Sequence, residues 1–238
     1  NVDNALKYMK QNNINVISVF DDDYPQMLKK IYDPPICLYI KGNLQLLKMQ
    51  NISLIGCRKC SQYGKKTAYY FSYNLSKAGF NIVSGLARGI DSYSHIGCLA
   101  AKGKTIAVMG SGLDNIYPKE NEQLVNEIIK QNGAIITQYP LETKPEKNNF
   151  PARNRIISGL SKAVLVIEAR AKSGTLITVD FALEQGKDVF AVPGNINSAN
   201  SVGTNELIKQ GAIPVCNYKD ILDLSLIHIS EPTRLQLI

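Results

Sequence analysis

Residues able to do chemistry stand at a regular set of positions in this chain. Each short apolar run is followed by a loop rich in Gly, Ser, Arg or Asn. The first loop reads Gly56-Cys57-Arg58, then Ser61-Gln62-Tyr63-Gly64. A glycine lets the backbone turn sharply into a helix whose N-terminal amides attract an anion, and Arg58 adds a bidentate phosphate donor. The plain alternative is a strand-to-helix turn with a solvent-facing arginine. The second loop, Ser84-Gly85-Leu86-Ala87-Arg88-Gly89-Ile90-Asp91, is another anion-cradling turn, with Asp91 expected as the N-cap of the next helix. His95 follows without a second histidine or a carboxylate relay in sequence, so a structural histidine within a helix is expected.

The stretch from Lys147 to Leu160 carries the most information. Phe150, Arg153, Asn154 and Arg155 gather at a predicted helix start just after Lys147. An aromatic ring among cations can stack a base while the cations hold phosphates. Positions 153 and 155 do not share a helical face, which leaves room for one structural arginine. Further on, Ser173-Gly174-Thr175 enters another helix with hydroxyls and amides suited to phosphate.

Several chemistries find little support. Gly110-Ser111-Gly112 lacks the third glycine of a dinucleotide fingerprint, and no Walker loop is present. Cys57-x-x-Cys60 has no second Cys or His pair at ligand spacing, so no metal is expected. No cofactor and no nucleophile–base–orienter set is predicted. The five scattered cysteines read as reduced thiols, and a formal charge of +7 favours polyanionic partners.

The elements that must position these loops are apolar runs of strand length: Ser53–Gly56, Asn81–Ser84, Thr105–Met109, Ala134–Thr137, Ala163–Ile167 and Val189–Val192. They alternate with helix-length segments. Continuous Val/Ile content without polar alternation is expected of parallel strands covered on both faces, so the predicted fold class is α/β, a doubly wound, mainly parallel sheet. Ligands of such sheets bind at the carboxyl ends of the strands. Before it lie a helix (Asn4–Gln11), a strand (Val16–Phe20), a helix opening after Asp23 and a strand (Cys37–Lys41), a unit punctuated by Pro34-Pro35. The expected division is an N-terminal α/β extension over 1–48, the main domain over 49–223, and a tail over 224–238.

That tail, Leu224 to Arg234, matches residue for residue the translation of a transposase sequencing adapter, and 224–238 is therefore read as non-native. No apolar run approaches the roughly 20 residues needed to span a bilayer, and the first 13 residues are too polar for a secretory signal, so a cytoplasmic protein is expected.

Taken together, Gly56-x-Arg58, Ser61-x-Tyr63-Gly64, the Ser84-to-Asp91 run, Gly110-x-Gly112-Leu113-Asp114, Tyr117-Pro118, Phe150-Pro151-x-Arg153-Asn154-Arg155, Ser173-Gly174, Val192-Pro193-Gly194 and Gly211-Ala212 resemble the bacterial DNA-processing protein A family over roughly Asn13 to Asp223. The resemblance implies an extended Rossmann-like domain that binds single-stranded DNA, forms a homodimer and loads RecA recombinase in natural transformation. It also implies that Arg58, Lys147, Phe150, Arg153 and Arg155 line the DNA pocket, in a DNA-binding set completed by Gly56, Ser84, Gly85, Asn154, Ser173, Gly174 and Thr175. The sequence departs from the family at Cys57, where Ser or Thr is usual, and at Thr137-Gln138, where Ser-Glu is usual. The family's N-terminal helical domain is expected to precede Asn1 and its winged-helix-like domain to follow the main one. The alternative is an enzyme, since related nucleotide-binding Rossmann domains cleave nucleoside monophosphates at the N-glycosidic bond. Those share a Pro-Gly-Gly-x-Gly-Thr loop and a following Glu, where this chain offers Ser173-Gly174-Thr175 and Glu184.

Overall fold

The computed structural model describes the backbone of residues 2–230 and the side chains of residues 3–224. The predicted parallel runs appear as β3 (Asn51–Ile55), β4 (Asn81–Ser84), β5 (Thr105–Val108), β6 (Ala134–Thr137), β7 (Ala163–Val166) and β8 (Asp188–Ala191). Two more strands, β1 (Ile14–Ser18) and β2 (Cys37–Gly42), precede them, and a short β9 (Ile213–Pro214) follows. All nine join one sheet in the order β1-β2-β6-β5-β4-β3-β7-β8-β9. From β6 to β9 every pairing is parallel. The fold is a doubly wound, Rossmann-like α/β sheet, as the apolar runs predicted.

The strand order reverses at β3. The chain winds outward through β4, β5 and β6, then returns to the other side of β3 as β7. Loops diverge at such a switch point and leave a crevice beyond the carboxyl ends of the strands. Helices α3 (Gln62–Lys77), α4 (Ile90–Ala100), α5 (Glu122–Lys130) and α9 (Lys219–Ser230) belong to one face. Helices α6 (Asn149–Gly159), α7 (Gly174–Glu184) and α8 (Val202–Lys209) cover the other. Alternate residues of a strand serve opposite cores: Ile106 and Val108 of β5 pack with Ile156 and Ile157 of α6, while Ala107 packs with Ile128 of α5. Fully burying one such side chain contributes roughly 1.5–3 kcal/mol. Polar residues inside β3 are satisfied, because Ser53 Oγ donates to Ile157 O at 2.9 Å and Asn51 Nδ2 donates to Leu160 O at 3.2 Å.

The N-terminal segment extends the sheet rather than building a core of its own. After α1 (Val2–Gln11), β1 pairs antiparallel with β2, and β2 pairs antiparallel with β6, Ile40 lying opposite Ile136. Tyr24, Leu28 of the short helix α2 (Gln26–Lys29) and Leu38 share the apolar cluster of Val108 and Ile156. At the other end, α9 carries the backbone to Ser230, and Leu224 packs beside Ile221 and Leu222. Of the tail read as adapter-derived, residues 231–238 lie outside the described residues.

Among the described residues no helix is long and apolar enough to cross a membrane, and no three His, Cys, Asp or Glu residues stand together to hold a metal ion.

Candidate functional site

A cleft of about 680 Å³ opens at the switch point, between the loops after β3 and β7 and the start of α6. Gly56, Arg58, Lys147, Phe150, Arg153, Asn154, Ser173, Gly174 and Thr175 all line it, so most of the expected set converges in space from three separate chain segments. Lys59, Arg170 and Lys172 line it too and were not singled out from sequence, and Tyr117, noted only as part of a motif, joins them. The walls thus carry six cationic side chains against one carboxylate, Asp91, which is buried.

At one end, the Arg58 guanidinium carbon lies 5.2 Å from the centre of the half-buried Phe150 ring. Tyr117 adds a second ring, 5.5 Å from Phe150 and tilted by 44°. Gly110 makes room for this pair, since a Cβ there would fall 2.9 Å from the Phe150 ring. The Gly-x-Gly turn after β5 therefore seats an aromatic side chain. At the other end, the Ser173 hydroxyl caps α7 by accepting from the Thr175 amide at 3.2 Å, while Arg170 and Lys172 reach the same wall.

Three expectations for the second loop need correction. Ser84 does not reach the cleft: it is fully buried, and its hydroxyl donates to Leu54 O at 2.7 Å. Gly85 has its amide on Asp91 Oδ2 at 3.1 Å and its carbonyl on Arg153, which leaves no free backbone group for a ligand. Asp91 is not an N-cap. Gly89 takes that position, and the Asp91 carboxyl lies in the first turn of α4, where it accepts from the Gly85 and Ala87 amides.

Arg153 and Arg155 divide as their positions on the helix require, because residues two apart point to opposite sides. Arg153 forms the cleft floor, 3% exposed, with Nη1 donating to Gly85 O at 2.8 Å and to Val108 O. Burial lowers its pKa to about 10 despite the opposing pull of Asp91, and burial raises Asp91 to about 6. The pair ties the ends of β4 and β5 to α6. Arg155 lies outside the cleft. It binds Asp33 through the main-chain carbonyl at 2.7 Å and the carboxylate at 3.0 Å, and donates to Gln138 Oε1 at 2.7 Å, so it anchors the N-terminal extension.

The first βα turn holds an anion of its own. Glu168, at the end of β7, is 2% exposed, and its carboxylate accepts from the Ser61 amide at 2.9 Å, from the Ser61 hydroxyl and from Asn200 Nδ2 at 3.2 Å. It sits over the N-terminus of α3, close enough that a Cβ at position 64 would fall 2.5 Å from its carboxyl carbon. The Ser61 amide is thus held by a side chain 107 residues away, while the Gly64 amide donates to the Ser61 hydroxyl at 3.0 Å. His95 is fully buried within α4, with Nδ1 2.7 Å from Thr105 Oγ1, as expected of a structural histidine. The thiols of Cys57 and Cys60 are pushed upward, chiefly by burial.

The profile of the DNA recombination-mediator protein A family matches residues 15–225. The chain belongs to the DNA recombination-mediator protein A family. It is 44% identical over 220 residues to the DNA processing protein DprA of Bacillus subtilis, covering 92% of this chain and 74% of that one. It is 42% identical to the Smf protein of Escherichia coli over 93% of this chain, yet spans only 59% of that relative's length. The X-ray structure of DNA processing protein A from Streptococcus pneumoniae superposes with a TM-score of 0.84 at 42% identity, covering 91% of this chain and 77% of that one. The Helicobacter pylori protein, whose structure describes a single-stranded DNA binding mode, gives 0.81 at 31% identity, covering 90% and 96%. A molybdenum cofactor carrier protein from Chlamydomonas reinhardtii, at 15% identity and a TM-score of 0.52 over 77% of this chain and all of that one, shares the fold of the recombination-mediator chain alone.

Proposed function

We propose that this chain binds single-stranded DNA in the switch-point cleft and acts there as a recombination mediator. The observation that carries the reading is the union of six cations with the Arg58–Phe150 pair in one cleft. Cations neutralise phosphates and release counterions, and an accessible ring stacks any base. A double helix keeps its bases inside, so the ring serves only a strand whose bases are free. The similarity to the Helicobacter pylori protein, described with single-stranded DNA, supports the same assignment. Homodimer formation and the delivery of DNA to a RecA-type recombinase extend this reading by family membership.

Geometry favours DNA binding over the hydrolase alternative. Glu168 is committed to three donors, and Glu184 closes the far end of α7, ten residues and roughly 15 Å from Gly174. The test is anisotropy of labelled oligonucleotides, single against double stranded, beside an assay for base release from nucleoside monophosphates. Preference for single strands without base release is the expected result. Equal affinity for both forms, or base release lost in Glu168→Gln, would reject it.

A further inference from the structure

Helix α3, Gln62–Lys77, contains no Asp or Glu and carries three lysines and five aromatic residues. Gly64, Ala68, Phe71, Ser72 and Leu75 turn inward, and Tyr70, 41% exposed, lies edge-on to Phe71 and Tyr218 at 5.4 and 6.2 Å. The lysines and tyrosines fall in two outward lines. Lys65, Tyr69, Tyr73 and Lys77 follow one another at intervals of four, and Tyr63, Lys66 and Tyr70 at three and four, the spacings that align side chains on a helix. Tyr69 and Tyr73 stack, their rings 6.0 Å apart at 15°, and the Lys77 ammonium lies 5.8 Å from the Tyr73 ring. Tyr63, Tyr69 and Tyr70 are 51%, 39% and 41% exposed. Among the described residues no carboxylate is ion-paired with any of these three lysines. A merely solvated helix face mixes both signs of charge and exposes few rings.

This face begins beside the cleft, at the turn that follows Arg58. Ser61, three residues after Arg58, lines a groove of about 500 Å³ together with Tyr63 and Pro193, its one carboxylate being the buried Glu168, already bonded to Ser61 and Asn200. Tyr63 and Pro193 also line the next groove, of about 360 Å³, whose wall holds Lys66 and Tyr70. We infer that the outer face of α3 is a second contact surface for single-stranded nucleic acid, engaged by the part of a strand that has left the cleft. Tyr63 and Tyr70 stack bases while Lys66 and Lys77 hold phosphates. Charge decides for a polyanion over an apolar protein partner, since three ammonium groups with no carboxylate partner among the described residues would be costly to bury against a neutral surface. The inference rests on the cleft being the primary site.

The experiment uses the full chain with two fluorescent oligonucleotides, one of about 5 nucleotides that the cleft alone accommodates and one of about 20 that reaches α3. In Lys66→Glu/Lys77→Glu, whose positions are exposed, affinity for the long strand should fall about tenfold and its log K against log salt slope should shrink by about 1.4, two phosphates' worth. Affinity for the short strand should stay within about twofold. Arg58→Ala, measured in parallel, should weaken both. If the double variant binds the long strand like the parent while Arg58→Ala weakens both strands, the α3 surface is rejected and the cleft stands. If Arg58→Ala changes neither strand, the cleft fails and the α3 surface with it. A double variant that melts like the parent but sediments as a different oligomer would make the face a contact between copies, overturning the inference.

Discussion

The Glu168 carboxylate receives both the amide and the hydroxyl of Ser61, so a residue at the end of one strand braces the N-cap of the helix that follows another. A carboxylate at a helix N-terminus complements the orphan amides and the positive end of the dipole.

Glu168→Ala should accordingly destabilise the fold by about 1–3 kcal/mol, because Ser61 and Asn200 lose a buried acceptor. Urea denaturation measures this. Oligonucleotide affinity of the folded variant should remain near the parent's, since no cleft cation is touched. Unchanged stability would show that the brace is idle.

Arg153, on the cleft floor, and Arg155, outside the cleft, should behave differently from one another. Arg153→Met leaves Asp91 buried without its cation and frees two strand-end carbonyls, at a cost of about 3–5 kcal/mol. Arg155→Ala should cost less, of the order of 1 kcal/mol, because its partner Asp33 is 71% exposed, and DNA affinity should not change. A drop in affinity at Arg155 with a normal melting curve would place it back in the pocket.

Gly110→Ala probes the seat of the aromatic ring without altering any cation. The added methyl meets the ring at 2.9 Å, so Phe150 must shift. Oligonucleotide binding should weaken by roughly 1–3 kcal/mol with little change in salt dependence. Binding equal to the parent's would mean that the ring's position is not critical.

His95 makes acid stability testable. Burial lowers its pKa to about 3, against 6.5 in the unfolded chain. The folded state binds the proton less readily, so stability present above pH 6.5 is lost as pH falls toward about 3, by an amount on the order of 4–5 kcal/mol. Asp91, raised to about 6, acts in the reverse sense: its contribution is greatest below pH 4 and declines as pH rises through 6. His95→Asn can keep a hydrogen bond to Thr105 and removes the first effect. The stability difference between parent and variant should therefore shrink on acidification from pH 7 to pH 4. A difference independent of pH would contradict the buried, neutral imidazole.

The parallel sheet was legible because its strands are unbroken Val/Ile runs, and burial on both faces leaves that signature. Residues at the strand ends were legible as a group for the same topological reason. The antiparallel β1–β2 addition was not, because pairing of β2 with β6 depends on contacts nearly a hundred residues apart. Likewise, nothing local marks Glu168 as the partner of Ser61 or Arg153 as a ligand of strand-end carbonyls. Helical spacing did separate Arg153 from Arg155 without saying which was structural. Tyr117 had a usable signal, an aromatic beside proline in the loop after the glycine turn, yet only the fold brings it to Phe150.

The central claim is that one cleft holds phosphates through Arg58 while Phe150 stacks a base. The most direct measurement is the salt dependence of single-stranded oligonucleotide affinity for the parent, Arg58→Ala and Phe150→Ala, each first shown to melt like the parent. Arg58→Ala should shrink the log K against log salt slope by about 0.7, one phosphate contact. Phe150→Ala should lose about 1–3 kcal/mol of binding with the slope unchanged, since stacking releases no counterions. Parental affinity and slope in both variants would contradict the account and place the DNA elsewhere on the molecule.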